Sequence, residues 1–438
     1  MADQHARTIM DYLATEFATF DEKPFSPVDS LVLSEFCMIR MEGIAPVAAG
    51  WDDGDGPAVR DRAGAAESEG LFAHGSSESP ARGGEGVGKL GRGVFARLRE
   101  RLRRARPGRS ASPLATEPAT IHFRDALRAE RYEGMFTGLV PEKVRGLLLA
   151  LAASPRFRDM EVREYATVFD AAASTQFAAL SFSWRDEFSY IGFRGTDASF
   201  TGWREDFDMA WMHPVPAQAH ALRYVNEVSS RLPGRLFVGG HSKGGNLAVY
   251  AAARADASVH ERIERVFSHD GPGFHPDALS AGERAGIEPF VDFTVPEESV
   301  VGMLLDGVSK PRVVKSTARG IGQHDPFSWV VAADGRDFEP AAGLSNESAF
   351  FKNAMDEWLA RYSDEEIRAI VDALFEALRA SGARDLSGIL RNGPKISELV
   401  GAATTMEGPA RDVLLSAAAS FSEVAVKHAM EARRARKE

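Results

Sequence analysis

The segment from Gly240 to Gly245 reads GHSKGG and contains the pattern G-x-S-x-G, with Ser242 at its centre. The apolar run RLFVGG precedes it and the small-residue run NLAVYAAARA follows it, so we expect the serine between a buried strand and a helix. A tight strand-to-helix turn exposes a serine hydroxyl at the edge of a sheet and leaves space only for glycine beside it. In such a turn the N–H of Lys243 points toward the oxyanion of an attacked carbonyl. The pattern therefore predicts a nucleophilic serine that performs acyl transfer.

A nucleophilic serine needs a general base, and in strand–turn–helix arrangements of this kind the histidine follows the serine in the chain. We expect this base to be His324, because its loop, ARGIGQHDPFSW, follows the strand-like run RVVKS, and parallel sheets present ligands at such loops. His269, which ends the strand-like run after the nucleophile's helix, is the alternative. The other histidines downstream of the serine are His260 in a helix-to-strand turn, His275, and His428 in the C-terminal helices.

The third member of such a triad is a carboxylate that orients the histidine ring, and two positions compete for it. We favour Glu298, in PEESVVG, because it follows the strand after which this arrangement usually carries the acid. Asp270, in SHDGPGF, follows the preceding strand and is the second choice. Glu297 and Asp325 are adjacent alternatives, so the acid stays open at this point.

Seven strand-like runs, with helical patterns between most of them, predict the frame that positions these residues. The runs are REYATVFD, FAALSFSW, FSYIGFRG, RLFVGG, RVFSHD, VDFTV and RVVKS. Strands that alternate with helices at this spacing favour a parallel arrangement. The chain is therefore predicted to be an α/β protein, with a mostly parallel sheet and helices on both faces.

Composition divides the chain into four parts. Residues 1–49 read as an ordered N-terminal part of the core or its cap, 119–345 as the α/β core, and 346–438 as an appended helical region. Residues 50–118 are rich in Gly, Ala, Ser, Pro, Arg and Glu, so they bury too little apolar surface to offset ordering entropy, and we predict disorder. Inside this insertion, residues 90–106 have a basic amphipathic helical pattern. It is either a peripheral contact for an anionic membrane or acidic partner, or a solvated helix.

Charge and cysteine content exclude several classes of protein. The chain has 52 basic and 63 acidic side chains, and residues 89–109 carry a local charge of +8, so the rest of the chain is strongly acidic. A general nucleic-acid-binding role is therefore not expected. The single cysteine, Cys37, excludes an intrachain disulfide and a cysteine-rich zinc site. We find no secretion signal and no apolar run of membrane-spanning length, which predicts a cytoplasmic protein.

Several segments together resemble known families. FRGTDASFTGWREDF, GHSKGG and a late histidine resemble the class 3 lipase-like branch of the α/β-hydrolases. Closer is the resemblance to the Mbeg-like family of lipase-related proteins, in TIMDYL, PFSPVDSLVLSEF, GHSKGGNLA, SHDGPGF, SVVGMLL and QHDPFSW. It covers residues 8–45 and 120–335. The chain departs from related lipases at Gly239, where they usually carry Thr or a small apolar residue, and at Glu298, where they carry Asp.

The resemblance implies an α/β-hydrolase fold and a serine esterase or lipase-like activity on a carboxylic ester or thioester, from a small molecule or a lipid. It also implies that the backbone N–H of Thr196 is the first oxyanion donor, beside that of Lys243. This chemistry requires neither a metal nor an organic cofactor. The alternative is a catalytically silent protein of the same fold that acts as a binding or scaffold module, with recruitment to a membrane as a further option.

Overall fold

The structure is a computed structural model, and it describes residues 6–51, 119–136, 140–380 and 408–435. All but the first two residues of the predicted insertion 50–118 lie outside these described ranges. The basic segment 90–106 is among the residues outside them. Its predicted helix and its predicted partners therefore stay predictions.

The described residues form one seven-stranded sheet whose strands follow each other in chain order. Strand β1 pairs antiparallel with β2, β2 pairs antiparallel with β3, and all later neighbours are parallel. The strands are β1 (Glu161–Asp170), β2 (Thr175–Trp184), β3 (Phe188–Phe193), β4 (Arg235–His241), β5 (Ile263–His269), β6 (Val291–Pro296) and β7 (Arg312–Val314). Each corresponds to one of the seven runs predicted from the sequence.

Helices occupy most of the connections between strands and both ends of the described chain. The α-helices are α1 (Ile9–Thr15), α2 (Pro27–Phe36), α3 (Tyr132–Met135), α4 (Pro141–Ala153), α5 (Phe200–Asp208), α6 (Pro216–Ser229), α7 (Lys243–Arg254), α8 (Ala257–His260), α9 (Ala281–Ile287), α10 (Asn346–Leu359), α11 (Asp364–Ala380) and α12 (Pro409–Ala435). Short 3₁₀ turns lie at Phe123–Ala126, Ala129–Arg131, Glu288–Phe290, Val301–Met303, Gly320–His324 and Pro326–Ser328.

Hydrophobic clusters cover both faces of the sheet, which explains why its central strands are buried on both sides. On one face, α1, α2 and α4 pack against side chains such as Phe182, Tyr190 and Phe237. On the other, α6 and α7 pack against side chains such as Phe193 and Val238. Strands β2 and β3 are accordingly buried along their whole length. The predicted α/β class, with a mostly parallel sheet and helices on both faces, is confirmed.

The N-terminal segment is tied into this core by a buried ion pair. The guanidinium of Arg156, just after α4, donates two 2.7 Å hydrogen bonds to the carboxylate of Asp29 on α2, and neither side chain is exposed. A pair this deep is tolerated because further acceptors satisfy the guanidinium: the carbonyls of Ala18 and Lys23 also bind it. Helix α2 is therefore held firmly beside β4.

The C-terminal helices lie against α5. A small apolar cluster joins Phe375 and Val371 of α11 to Trp203 of α5, and Arg204 pairs with Asp372 at 2.6 Å. Helix α12 packs in turn on α10 and α11. Within the described ranges, no helix has the length and apolarity that would be needed to cross a bilayer.

Candidate active site

The turn between β4 and α7 has the strained geometry that the glycine pattern predicts. Ser242 lies in it with φ 57° and ψ −131°, a conformation that L-residues rarely adopt. A Cβ at Gly240 would lie 2.2 Å from the carbonyl carbon of Gly244, and a Cβ at Gly244 would lie 2.3 Å from the carbonyl oxygen of Phe193. Any larger residue at either position would collide with backbone. The two glycines therefore allow the chain to turn sharply enough to present the Ser242 hydroxyl.

Three side chains form a connected hydrogen-bonded series at this turn. The Nε2 atom of His324 lies 3.0 Å from Oγ of Ser242, and Nδ1 of His324 lies 2.7 Å from Oδ2 of Asp270. Because an ionised carboxylate can only accept, Nδ1 carries the proton and Nε2 has a lone pair for the serine hydroxyl. The arrangement can deprotonate the serine and stabilise the resulting imidazolium.

Asp270 is fully buried and is held on its far side by other donors. Its Oδ1 accepts hydrogen bonds from the Ser299 hydroxyl and from the Gly302 N–H. These two donors fix the plane of the carboxylate, so that Oδ2 faces the His324 ring. The position follows from strand register, since His241 pairs with His269 and the next residues, Ser242 and Asp270, leave the sheet side by side.

The preference for Glu298 as the acid is corrected by this geometry. The Glu298 carboxylate accepts from the backbone N–H of Gly320, and the Glu298 N–H donates to Gln323 Oε1 at 2.8 Å. The side chain therefore fastens the start of the turn that carries His324 instead of contacting its ring. The other two alternatives are also placed elsewhere. The Asp325 carboxylate pairs with Lys143, and among the hydrogen bonds of the described residues the Glu297 carboxylate makes none to His324, whose Nδ1 is taken by Asp270.

The remaining histidine candidates have partners other than Ser242. His269 contacts the hydroxyl of Ser30 on α2 through Nε2 at 2.9 Å. His260 lies against the ring of Phe290, and His428 lies 3.0 Å from a carboxylate oxygen of Glu357 on α10. The choice of His324 over His269 therefore agrees with the geometry.

One group of described residues brings three possible metal ligands together: His213, His275 and Asp364. The Nδ1 atom of His275 accepts a 3.3 Å hydrogen bond from the Asp277 N–H, so its proton must be on Nε2, which faces Asp364 at 3.2 Å. A ligating Nε2 would need its lone pair free. The rings of the two histidines are also parallel within 5°, so their lone pairs do not converge. These residues fit a hydrogen-bonded histidine–aspartate pair better than a metal centre.

The loop after β3 brings Thr196 to the nucleophile turn. A Cβ on Gly195 would lie 2.9 Å from the His241 carbonyl oxygen and 3.5 Å from Cβ of Ser242, so this loop crosses directly over the turn. Among the hydrogen bonds of the described residues, the Thr196 N–H has no acceptor, while the Thr196 hydroxyl donates to Asp206 at 2.5 Å. Lys243 begins α7, where the first N–H groups have no acceptor within the helix. Both predicted oxyanion donors thus lie next to Ser242.

The Lys243 side chain, for which the sequence suggested no role, is fully buried behind the turn. Its Nζ donates at 2.8 Å to both the carbonyl and the side-chain oxygen of Gln176, and it lies 3.0 Å from the equally buried carboxylate of Glu205. Asp206 lies beside them, and burial raises its pKa to about 7 although Lys243 and Thr196 act in the opposite direction. In the sequence, the buried partners of Lys243 were indicated only by the acidic pair in WREDF, and such a pair is typical of an exposed helix surface.

Comparisons with known proteins agree with this architecture. A family model described as Mbeg1-like matches residues 151–376, which is more than half of the chain. Among curated proteins, no sequence matches the chain. Solved structures similar to parts of it include a Rhizomucor miehei lipase in complex with its propeptide, a fungal lipase–inhibitor complex, and M37 lipase.

These structural similarities are partial. The Rhizomucor lipase shares 16% identity over 37% of this chain and 58% of its own, with a TM-score of 0.26. The lipase in the inhibitor complex shares 18% identity over 39% of this chain and 70% of its own, with a TM-score of 0.28. M37 lipase shares 14% identity over 40% of this chain and 68% of its own, with a TM-score of 0.30. The chain thus spans less than two thirds of the Rhizomucor lipase, and the fold assignment rests on the sheet itself. The family resemblance seen in the motifs is confirmed: the chain belongs to the Mbeg1-like family.

Proposed function

We propose that the protein is a serine acyl hydrolase acting on a carboxylic ester or thioester. One observation carries the proposal: Ser242, on a strained turn, lies 3.0 Å from His324, and His324 lies 2.7 Å from the buried Asp270. A binding module has no need for an unfavourable serine conformation, because such strain persists mainly where function requires it. The lipase-related family is consistent with hydrolase chemistry.

In the proposed reaction, Oγ of Ser242 attacks the carbonyl carbon while its proton passes to Nε2 of His324. The tetrahedral intermediate carries its negative charge on the former carbonyl oxygen, which the N–H groups of Thr196 and Lys243 stabilise. The intermediate collapses as the proton moves from His324 to the leaving alcohol or thiol, and an acyl-serine remains. Water then attacks the acyl carbon, gives a proton to His324, and the acid product leaves as Ser242 recovers that proton.

Side-chain contacts of Thr196 and Lys243 support oxyanion donors that act without rearrangement. Thr196 is held through its hydroxyl by Asp206, and Lys243 is held through its ammonium by Glu205 and Gln176. Donors fixed before the reaction cost no reorganisation when the charge develops, and each is worth roughly 2.7–4 kcal/mol of barrier. This supports a hydrolase whose oxyanion site is already assembled.

Steady-state hydrolysis of a panel of p-nitrophenyl and thioester substrates of increasing chain length tests the proposal. We expect Ser242→Ala to lower kcat to background, about 10⁶-fold for a triad nucleophile, while the protein stays folded by circular dichroism. Ser230→Ala, a change at the exposed end of α6, is the matched control and should leave kcat unchanged. Full turnover in Ser242→Ala would end the proposal.

A further inference from the structure

A second histidine, His241, lies directly behind the proposed general base. Its Nδ1 is 3.0 Å from Oε1 of Glu35, and its Nε2 is 3.0 Å from the backbone carbonyl oxygen of His324. The two imidazole rings are 4.7 Å apart between centroids. Both His241 and Glu35 are buried, with 9% and 2% exposure. The chain of contacts thus runs from α2, through the last residue of β4, to the loop that carries His324.

The number of N–H groups that these two contacts need determines the protonation state of His241. The His324 carbonyl oxygen only accepts, so Nε2 of His241 has to donate to it. Nδ1 of His241 faces the Glu35 carboxylate as an ion-pair contact, and the negative charge of that carboxylate favours a proton on Nδ1 as well. A neutral imidazole has one N–H and satisfies one of these two partners. Burial by itself lowers the pKa of His241, but the facing Glu35 carboxylate outweighs it and raises the pKa overall, with Asp270 and Asp325 contributing in the same direction.

The other charged groups around His241 do not satisfy these contacts. His269, at the end of β5, faces Ser30. Burial, and after it the positive charge on His241, lowers the pKa of His269 well below its ordinary value. The Asp270 carboxylate accepts from His324, and the carboxylate of Asp325, in the loop of His324, pairs with Lys143 on α4. From α7, the ammonium of Lys243 is used by Glu205. Glu35 is therefore the counterion of His241.

Helix α2 holds Glu35 at this position. It begins with the Ser26 side chain capping the Asp29 N–H, has Pro27 in its first turn, and is anchored by the buried Asp29–Arg156 pair. A helix fixed at its start leaves little freedom for a buried carboxylate two turns later. The Glu35 carboxylate thus has a defined place beside β4 before any ligand binds.

We propose that His241 is a positioning residue for the hydrolase site: paired with Glu35, it donates to the His324 carbonyl and thereby fixes the loop that presents the His324 ring to Ser242 and Asp270. This inference rests on the proposed function, and it adds a pH-dependent support that the triad itself lacks. Below the pKa of His241 both contacts are made. As the pH rises through that pKa, one N–H is lost, the two contacts compete for the N–H that remains, and the hold on the loop weakens.

The direction of the pH effect follows from the charge on Glu35. Removing that charge lowers the pKa of His241, so the support is lost at lower pH. An opposite charge at about 4 Å shifts a pKa by roughly 1–3 units. In Glu35→Gln, the alkaline fall in the rate of Ser242 labelling by a fluorophosphonate should therefore move down by about 1–3 pH units.

Two further variants separate the proton from the hydrogen bond. The double variant Glu35→Gln/His241→Gln keeps an amide donor near the His324 carbonyl and cannot titrate, so it should label without this alkaline fall. The double variant Glu35→Gln/His241→Leu has no donor and should label at least about tenfold more slowly at every pH, a loss that corresponds to one hydrogen bond. Glu298→Gln is the matched control, because Glu298 contacts the same loop through Gly320 and does not contact His241. It should leave the alkaline limb unchanged.

The ring of His324 gives a second readout that needs no activity. In protein labelled with ¹⁵N-histidine, we expect the downfield Nδ1–H resonance of His324 to broaden at lower pH in Glu35→Gln than in the unmodified protein. Unchanged alkaline limbs and unchanged resonances in the folded Glu35→Gln protein would overturn the inference. If the unmodified protein does not label at all, the proposed function fails and the resonance alone decides. Broadening of the His324 resonance at lower pH in Glu35→Gln would still support the positioning role. Broadening at the same pH in both proteins would overturn it.

Discussion

Replacing Asp270 by asparagine tests the triad most selectively, because the structure dictates which way the new amide must face. The Gly302 N–H points at Oδ1 of Asp270 and can only donate, so the amide oxygen of the introduced side chain has to stay on that side. The amide NH₂ group then faces Nδ1 of His324. This forces the ring proton onto Nε2, the atom that must accept the proton of Ser242.

A histidine in the wrong tautomer lowers kcat by about 10⁴-fold in triads of this kind, which corresponds to about 5.5 kcal/mol of barrier. We expect that loss for Asp270→Asn, measured as the initial rate of ester hydrolysis at a pH above the acid limb. Glu298→Gln is the matched control. Its amide oxygen can still accept from Gly320, so its rate should stay within about fivefold of the unmodified protein, the range of a single modest hydrogen bond.

Both variants should remain folded, which thermal melting checks before the rates are compared. Ester hydrolysis by folded Asp270→Asn at a rate within about tenfold of the unmodified protein would refute this reasoning, because that is far short of the loss expected for a wrong tautomer. A larger loss in Glu298→Gln than in Asp270→Asn would refute it equally, since Glu298 would then be the acid.

Three other predictions concern the buried Lys243, the neighbouring Asp206 and the basic segment 90–106. Lys243→Met leaves the carboxylate of Glu205 buried without its counterion, so the free energy of unfolding in urea should fall by about 3–5 kcal/mol. The double variant Lys243→Met/Glu205→Gln should recover part of this loss, and equal stability of the two variants would contradict the prediction. Because Asp206 binds a proton more tightly when folded, stability should fall as the pH rises from about 4 to 7, and Asp206→Asn should flatten this slope in denaturation at several pH values. Deleting residues 90–106 should reduce flotation with anionic vesicles but not with neutral ones, as expected if their positive charge binds the membrane surface; equal flotation of both proteins would contradict this.

The sequence predicts those parts of the fold and site that depend on local information. Each strand could be recognised from its own apolar residues, and the turn at Ser242 could be recognised from Gly240 and Gly244, whose missing side chains let the backbone pass. The loop of His324 was also recognisable, because it follows a strand at the edge where such sheets present their ligands. The family resemblance added Thr196, since its motif includes the loop that crosses Ser242.

The acid could not be decided from the sequence, because it depends on the register between strands. Pairing of His241 with His269 brings Asp270 level with Ser242, whereas Glu298 leaves the sheet one strand further away. The contact between Glu35 and His241 was equally invisible, since it joins residues about 200 positions apart. Neither a helical carboxylate nor a histidine before a serine has a pattern that indicates its partner.

Labelling with a fluorescent fluorophosphonate measures the central claim directly, because this reagent reacts with serines that a base has activated. The unmodified protein should label at one residue, identified as Ser242 by mass spectrometry of its peptides. Labelling should be lost in Ser242→Ala, fall steeply in His324→Ala, and persist in His428→Ala, whose ring lies on α12 beside Glu357. Absence of labelling in folded, unmodified protein, or labelling that persists unchanged in His324→Ala, would contradict a hydrolase built on these residues.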